Sequence, residues 1–552
     1  MAKRSNYPDG VNFTNPNYSR LDLSHLHRTS FDMGKIIPID IQSVMPGDSF
    51  EINVEHFIRT MPTIVPIMDN VDLKINHFFV PYRILWEKFP EWLTMNDTHS
   101  LLGEQKPEIP KFRMSPKPSL KIGESYPKYP NGRLADYLGL PSVWSGTQTT
   151  SPEDVPDKDY FNMFPLLAYH KIILDWYSPQ RWVEYYNSSG QDSQTLIQLK
   201  KMLQLFKKSA GGKFFDWKAN TPNYYVNQLF KLRNVNWNND LFTQALPTPT
   251  LFNDVKIPFL NDYSAGFGDG LRLSDYDDGQ ITTEVIARKG NDSNSGEYFN
   301  NSEKMATIRQ LRENIALQHF LETMQQGGGR YMETMKLIWG QDIPDATLQR
   351  SEYLGGDVTP IFFNEVESNA STDANALGDV AGKPVSAGRG STISFKADEF
   401  GVYLCLAHVV PKRSYSDAID LKVWKFDEPT DLPMKHFENL GEEAIYSSEL
   451  IGSSGIDGQI FGYIPRYSRW KGSIDRYSGE LRHTLKHWHL GTTAEEIGNY
   501  PTISPTFLEA KPRMDIFNVN DGETDNIFGV FNFDIQVKRG LTYNPQPGLQ
   551  YI

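Results

Sequence analysis

The stretch from 463 to 489 carries the clearest chemical pattern in the chain. Arg466, Arg469, Lys471, Arg476, Arg482 and Lys486 stand against only Asp475 and Glu480, with Tyr463, Tyr467, Trp470, Tyr477 and Trp488 interleaved. Cations spaced in this way follow a phosphate backbone while rings stack on unpaired bases, which is how single-stranded nucleic acid is held without sequence preference. The same residue types build subunit interfaces, where Arg, Tyr and Trp are enriched, and that is the plainer reading of the stretch. Lys538 and Arg539 near one end of the chain, and Lys3 and Arg4 near the other, are lesser cationic candidates.

Other clusters give weaker chemistry. Asp275, Asp277, Asp278 and Gly279 look like the start of a calcium loop. The register then places Gln280 where the turn needs glycine and Ile286 where a closing Glu belongs, so the plain reading is a solvated acidic loop. His483, His487 and His489 have metal-like spacing, yet no cysteine stands nearby and Trp488 points to packing. His25 and His27 make a still weaker pair. Gly327-Gly328-Gly329 follows a helical pattern instead of opening one, so it reads as a helix stop and not a phosphate cradle. There is no G-x-S-x-G nucleophile elbow and no Walker loop, and no carboxylate pair stands out by its spacing. Neither catalysis nor a cofactor is expected.

Composition narrows the class further. The net charge of −13 argues against a simple polybasic nucleic-acid binder, so any such contact must come from a local basic face or a separate basic partner. Charged residues at 22% and aromatics at 13% describe a globular chain, and 41 Gly with 35 Pro supply many turns. The single cysteine, Cys405, lies in the apolar run Val402 to Ala407, where it reads as a packed thiol, and no intrachain disulfide is possible. No apolar signal region opens the chain and no run of 18 apolar residues occurs. Synthesis and first folding in a cytoplasm, without membrane insertion, are therefore expected.

The elements that must position these residues begin with the strands between 50 and 92. Phe50, Ile52, Val54, His56 and Ile58 alternate with polar neighbours, and Val71, Leu73, Ile75, His77 and Phe79 do so again. Pro81 ends the second strand, and Trp86, Phe89 and Trp92 follow as packing or intersubunit anchors. Residues 1–30 read as an extended arm ordered by docking. Proline-rich 93–160 is loop with a short helix at 134–138, followed by helices at 165–176 and 193–208. Residues 251–303 turn to Gly, Asp, Asn and Ser and read as an exposed excursion. Helices are expected within 304–340, a loop over 368–390, and strands at 391–396, 400–410 and 528–538. Strands at both ends with helices and loops between them predict a mainly β chain, one sandwich with long connections.

Several segments also resemble a known family. FDMGKIIPIDIQSVMPGDSFEI and MDNVDLKINHFFVPYRILW come first, then LADYLGLP, FPLLAYHKIILDWY and NNDLFTQALPTP. TIRQLRENIALQHFLE, GGGRYMETMKLIWG, DATLQRSEYLGG, FGYIPRYSRWKGSIDRYSGELRHT and a late PGL follow in order. Together they resemble the major capsid proteins of the microvirus group (Microviridae), small single-stranded-DNA phages, and above all their gokushovirus-like branch. Gly328-Gly329-Arg330-Tyr331 and Arg539-Gly540-Leu541 depart from the family pattern, and 180–219 looks longer than usual.

The resemblance implies an eight-stranded viral jelly roll with large insertions over 31–552, within which 251–303 becomes a protrusion at the threefold axis. It implies self-assembly through pentamers into a T=1 icosahedral shell around circular single-stranded DNA, in the host cytoplasm. The implied partners are other copies of the chain, the DNA genome, a small basic DNA-binding protein, a minor pilot protein, and a host receptor met by the protrusion. The alternative is a carbohydrate-binding or carbohydrate-active β-sandwich.

Overall fold

The computed structural model describes residues 18–94, 107–113, 134–140, 160–178, 194–209, 211–214, 229–249, 308–326, 336–338, 340, 344, 349–367, 380–424, 428–438, 441–452, 458–497, 502–519 and 524–541. The excursion at 251–303 with its Asp275, Asp277 and Asp278, the Gly327-Gly328-Gly329 stop, and Lys3-Arg4 lie outside these residues. The chain divides into two compact units, residues 1–247 with 330–552, and residues 248–329. In the smaller unit the described element is the helix Ile308–Gln326.

The larger unit is built on strands β1 (Ser19–Asp22), β2 (His25–Phe31), β3 (Ile37–Val44), β4 (Ser49–Thr60) and β5 (Val71–Pro81). Three short strands follow, β6 (Glu108–Arg113), β7 (Tyr160–Asn162) and β8 (Gly211–Phe214). The last third adds β9 (Glu352–Glu367), β10 (Val380–Arg389), β11 (Ile393–Lys396), β12 (Gly401–Pro411), β13 (Glu442–Tyr446), β14 (Ile460–Pro465) and β15 (Ile527–Arg539). Ten strands join in the order β1-β15-β4-β10-β9-β5-β12-β3, with β2 also on β15 and β11 on β4. Every pairing in this sheet is antiparallel.

The alternation in β4 does what its period demands. Phe50, Ile52, Val54 and Ile58 are buried, whereas Glu51, Glu55, Phe57 and Arg59 are exposed. Their buried face meets Phe531, Phe533, Ile535 and Val537 of β15 and Leu73, Ile75, Tyr403 and Val409 of the facing strands in one core. β12 is buried along its whole length because it is covered on both sides. Tyr403, Cys405, Ala407 and Val409 face the sandwich core. Val402, Leu404, Leu406 and Val410 face a second core made with Trp86 and the helix Phe164–Ile172. Cys405 lies in the first core, with Sγ 4.0 Å from His77 Nε2, and burial pushes its thiol well above the ordinary range.

Pro81 does end β5. The next turn, Tyr82–Leu85, is helical, and Arg83 forks onto Glu399 with two bonds of 2.9 Å. Trp86 is fully buried and donates from Nε1 to Ser209 O at 2.9 Å, so it is an internal anchor. The helices expected at 134–138, 165–176 and 193–208 are present as Leu134–Tyr137, Phe164–Ile172 with a π turn to Tyr177, and Gln194–Lys208.

Three segments depart from the sequence reading. Residues 19–31 are strands, because the arm's second half docks on the chain's own β15. Residues 380–389, expected as loop, form β10 between β4 and β9. Its small residues are a packing demand. A Cβ on Gly388 would come within 2.8 Å of the His56 ring. β9 was hidden by Gly355, Gly356 and Pro360, which break the alternation. A Cβ on Gly356 would meet Asn76 Oδ1 at 2.3 Å, so the backbone approach there requires glycine. β9 pairs with β5 through its first part and with β10 through its second, which links the two halves of the sandwich.

Candidate nucleic-acid and subunit interface

The 463–489 stretch leaves β14 and crosses a satellite core of Phe242, Tyr415, Ile445, Leu450, Phe461 and Phe507. It runs through the short helix Ser468–Lys471 and two 3-10 turns, Gly479–Arg482 and Lys486–Trp488. One of its cations is turned inward. Arg469 is held by Glu449 through a two-pronged contact, Nε to Oε2 at 3.1 Å and Nη2 to Oε1 at 2.7 Å. Its Nη1 lies 2.8 Å from Glu443, and Nη2 also donates to Ala444 O at 2.8 Å. Glu449 in turn accepts from Tyr446 N at the start of the helix Ser447–Ile451. Burial pushes the Glu449 carboxyl up, against the pull of Arg469. The guanidinium is therefore neutralised inside the molecule and ties the helix to β13. It is not available to a phosphate chain.

Arg539 is likewise internal. Nε and Nη2 reach Asp48 Oδ2 at 3.0 and 2.8 Å, and Nη2 donates to Ser43 O at 2.8 Å. Asp48 is fully buried and also accepts from Met45 N, so Arg539 fastens the end of β15 to the β3–β4 turn. Lys538 places its ammonium 5.6 Å from the Tyr18 ring centroid. Arg482 donates from Nε to Tyr477 O at 2.8 Å, and Arg466 lies 5.3 Å from the Tyr467 ring centroid. Lys471 and Arg476 are exposed, as is Trp470 at 41%.

Of the three histidines His489 packs, whereas His487 is half-buried and His483 exposed. His489 stacks on Tyr477 with centroids 3.8 Å apart and bonds Leu481 O through Nε2 at 2.8 Å. Burial lowers its pKa. Tyr477 donates to Asp69 at 2.7 Å, and burial together with that carboxylate pushes its phenol upward. Among the described residues no group of three or more His, Cys, Asp or Glu could hold a metal.

Two features went unread in the sequence. One is a cleft of about 760 Å³ between the Asp69–Asp72 segment, the Phe362 region of β9 and the 412–420 and 464–475 segments. Its walls carry both signs, and Lys412 pairs with Asp475 at 2.7 Å. Buried Arg413 stacks 4.0 Å from the Phe507 ring centroid and donates to Phe507 O. The cleft draws on distant segments, so no local pattern announces it. The second feature is Trp424, 74% exposed on the short helix Leu421–Trp424, which packs beside Ser468–Lys471. Lys422 joins the two by donating to Gly472 O at 2.5 Å.

Residues 12–549 match the family model described as Capsid protein (F protein). Capsid protein VP1 of Chlamydia phage 1 is 23% identical, with 97% of this chain and 96% of the relative aligned. Capsid protein VP1 of Bdellovibrio phage phiMH2K is 26% identical over 95% of this chain and 94% of its own. Capsid protein VP1 of Spiroplasma virus 4 is 24% identical over 89% and 87%. A match running almost end to end over a mainly β antiparallel sandwich has one reading: the chain belongs to the phage capsid protein (F protein) family, whose printed names make it a structural protein of the virion and not an enzyme.

Proposed function

We propose that the chain is the repeating subunit of a T=1 icosahedral shell enclosing circular single-stranded DNA, assembled in the host cytoplasm through pentamers. The observation that carries this is the capsid-family match over residues 12–549. The antiparallel sandwich agrees with a viral jelly roll at its centre. The 251–303 excursion is proposed as the threefold protrusion that meets a host receptor, and a minor pilot protein completes the particle. A charge of −13 per subunit repels a polyanion, so DNA retention calls on a small basic protein, a local cationic face, or both.

Within this reading, the exposed remainder of the basic and aromatic stretch is a subunit contact. Trp424, Val423 and Trp470 are exposed on two neighbouring short helices, with Lys471 and Arg476 at their rim. Exposed Trp beside cations is the composition of an interface. The test is to image the purified chain. Uniform small shells, or pentamers, support the proposal. A monodisperse monomer that binds or cleaves glycans overturns it. Deleting 265–300 should leave folding intact while disturbing threefold contacts or host attachment, and an insoluble, unfolded product would place that segment in the core.

A further inference from the structure

The outer face of the sheet formed by β2, β15, β4 and β10 carries a pattern that the sequence hides, because its residues come from four distant strands. One row across the strands pairs Arg28 with Val530, Val530 with Phe57, and Phe57 with Ala387. The next pairs Ser30 with Phe528, Phe528 with Arg59, Arg59 with Val385, and Val385 with Phe362. Phe57, Phe528 and Phe362 are 38%, 41% and 63% exposed, and both guanidinium side chains belong to exposed residues.

Two cations stand out on this end of the face. Arg28 and Arg59 have no carboxylate partner among the described residues, and Arg59 lies 5.3 Å from the Phe57 ring centroid. Of the nearby acids, Glu55 is balanced by a cation, whereas Asp525 keeps its charge because its donor is a neutral hydroxyl. Glu55 faces Arg389 at 3.7 Å and accepts from Asn532 at 3.3 Å, and Asp525 accepts from Ser30 Oγ at 2.5 Å. Cations without counter-charges, set among exposed rings on a rigid sheet, are what an unpaired nucleic-acid strand needs: phosphate contacts alternating with stacking surfaces.

We infer that this face binds single-stranded nucleic acid, with phosphates on Arg28 and Arg59 and bases stacked on Phe57, Phe528 and Phe362. The inference rests on the capsid reading only for naming that strand as packaged DNA. It moves the nucleic-acid contact away from the 463–489 stretch, where Arg469 is neutralised internally.

The experiment is fluorescence anisotropy of a labelled oligodeoxythymidine with the purified full-length chain at several salt concentrations. The double variant Arg28→Gln/Arg59→Gln should bind at least roughly tenfold more weakly, and its salt slope should shrink by about 1.4, the release expected for two cations on a single strand. Phe57→Ala should weaken binding roughly fivefold to a hundredfold, the range for one lost stacking base, with the slope unchanged. Arg28→Lys/Arg59→Lys should keep the parental slope, and Lys471→Gln/Arg476→Gln should bind as the parent does. Parental affinity and slope in the Arg28→Gln/Arg59→Gln variant would overturn the inference. So would loss of binding in the Lys471→Gln/Arg476→Gln control, which would return the site to the 463–489 stretch. Normal DNA binding with failed shell formation in the face variants would make the face a subunit contact instead. Electron microscopy of the parent chain keeps the two readings apart: shells without DNA binding at this face sink only the inference, whereas absence of shells sinks the capsid reading.

Discussion

At the scale of single residues, the ion pairs divide into those that hold the fold and those left to solvent. Asp48 is completely buried, and Arg539 is its cationic partner. Removing one member of a buried pair strands the other, so Arg539→Ala should destabilise the subunit by about 3–5 kcal/mol in chemical denaturation. Lys471→Ala, on the surface, should change stability by no more than about 0.5 kcal/mol. In the sequence Lys471 belongs to the leading basic stretch and Arg539 is a lesser candidate, and neither placement announces a structural role. Only the carboxylates around Arg539 and Arg469 separate a structural guanidinium from a free one, and those carboxylates lie far away in the chain or on another element. The buried histidines set a pH dependence. Burial holds His77 down to about 4, and His170 and His408 down to about 3. Each stays neutral when folded and takes up a proton when unfolded below about 6.5, so stability is full above that pH and falls as pH drops toward 4. Each contributes a slope of about 1.4 kcal/mol per pH unit across that window. Denaturation midpoints measured between pH 7 and pH 4 should fall steadily, and His408→Leu should leave a shallower slope. A flat profile would contradict the burial of these rings.

At the scale of elements, legibility followed side-chain period. β4, β15 and the first half of β5 show their period because one face is buried and the other is not. β12 could be read as an apolar run because both of its faces are covered. Leu404→Ala or Leu406→Ala, each leaving a cavity between sheet and helix, should cost about 2–5 kcal/mol. β9 and β10 could not be read, since glycine and small residues there answer to the His56 ring and the Asn76 side chain, which only the fold brings near. The arm was half legible. Its residues 19–31 lack a strong apolar face, and their order comes from the β15 edge. Truncation through residue 23 should therefore be tolerated, because it uncovers only the end of β15 from Gln536 to Arg539 while β2 still covers Ile527 to Phe533. Truncation through residue 31 exposes the edge of β15 and should cause aggregation, detectable by size-exclusion chromatography.

At the scale of the whole molecule, the chain has no disulfide and a single buried thiol, so durability outside a cell must come from packing within and between subunits. The exposed Trp424, Val423 and Trp470 are more apolar surface than a solitary soluble subunit gains from, and burial of such patches is what drives association. The most direct measurement of the central claim is cryo-electron microscopy of the purified full-length chain. Closed shells of one small diameter with T=1 symmetry are expected, each subunit carrying the β4–β15 pairing at its centre. A uniform population of monomers under all assembly conditions would contradict it.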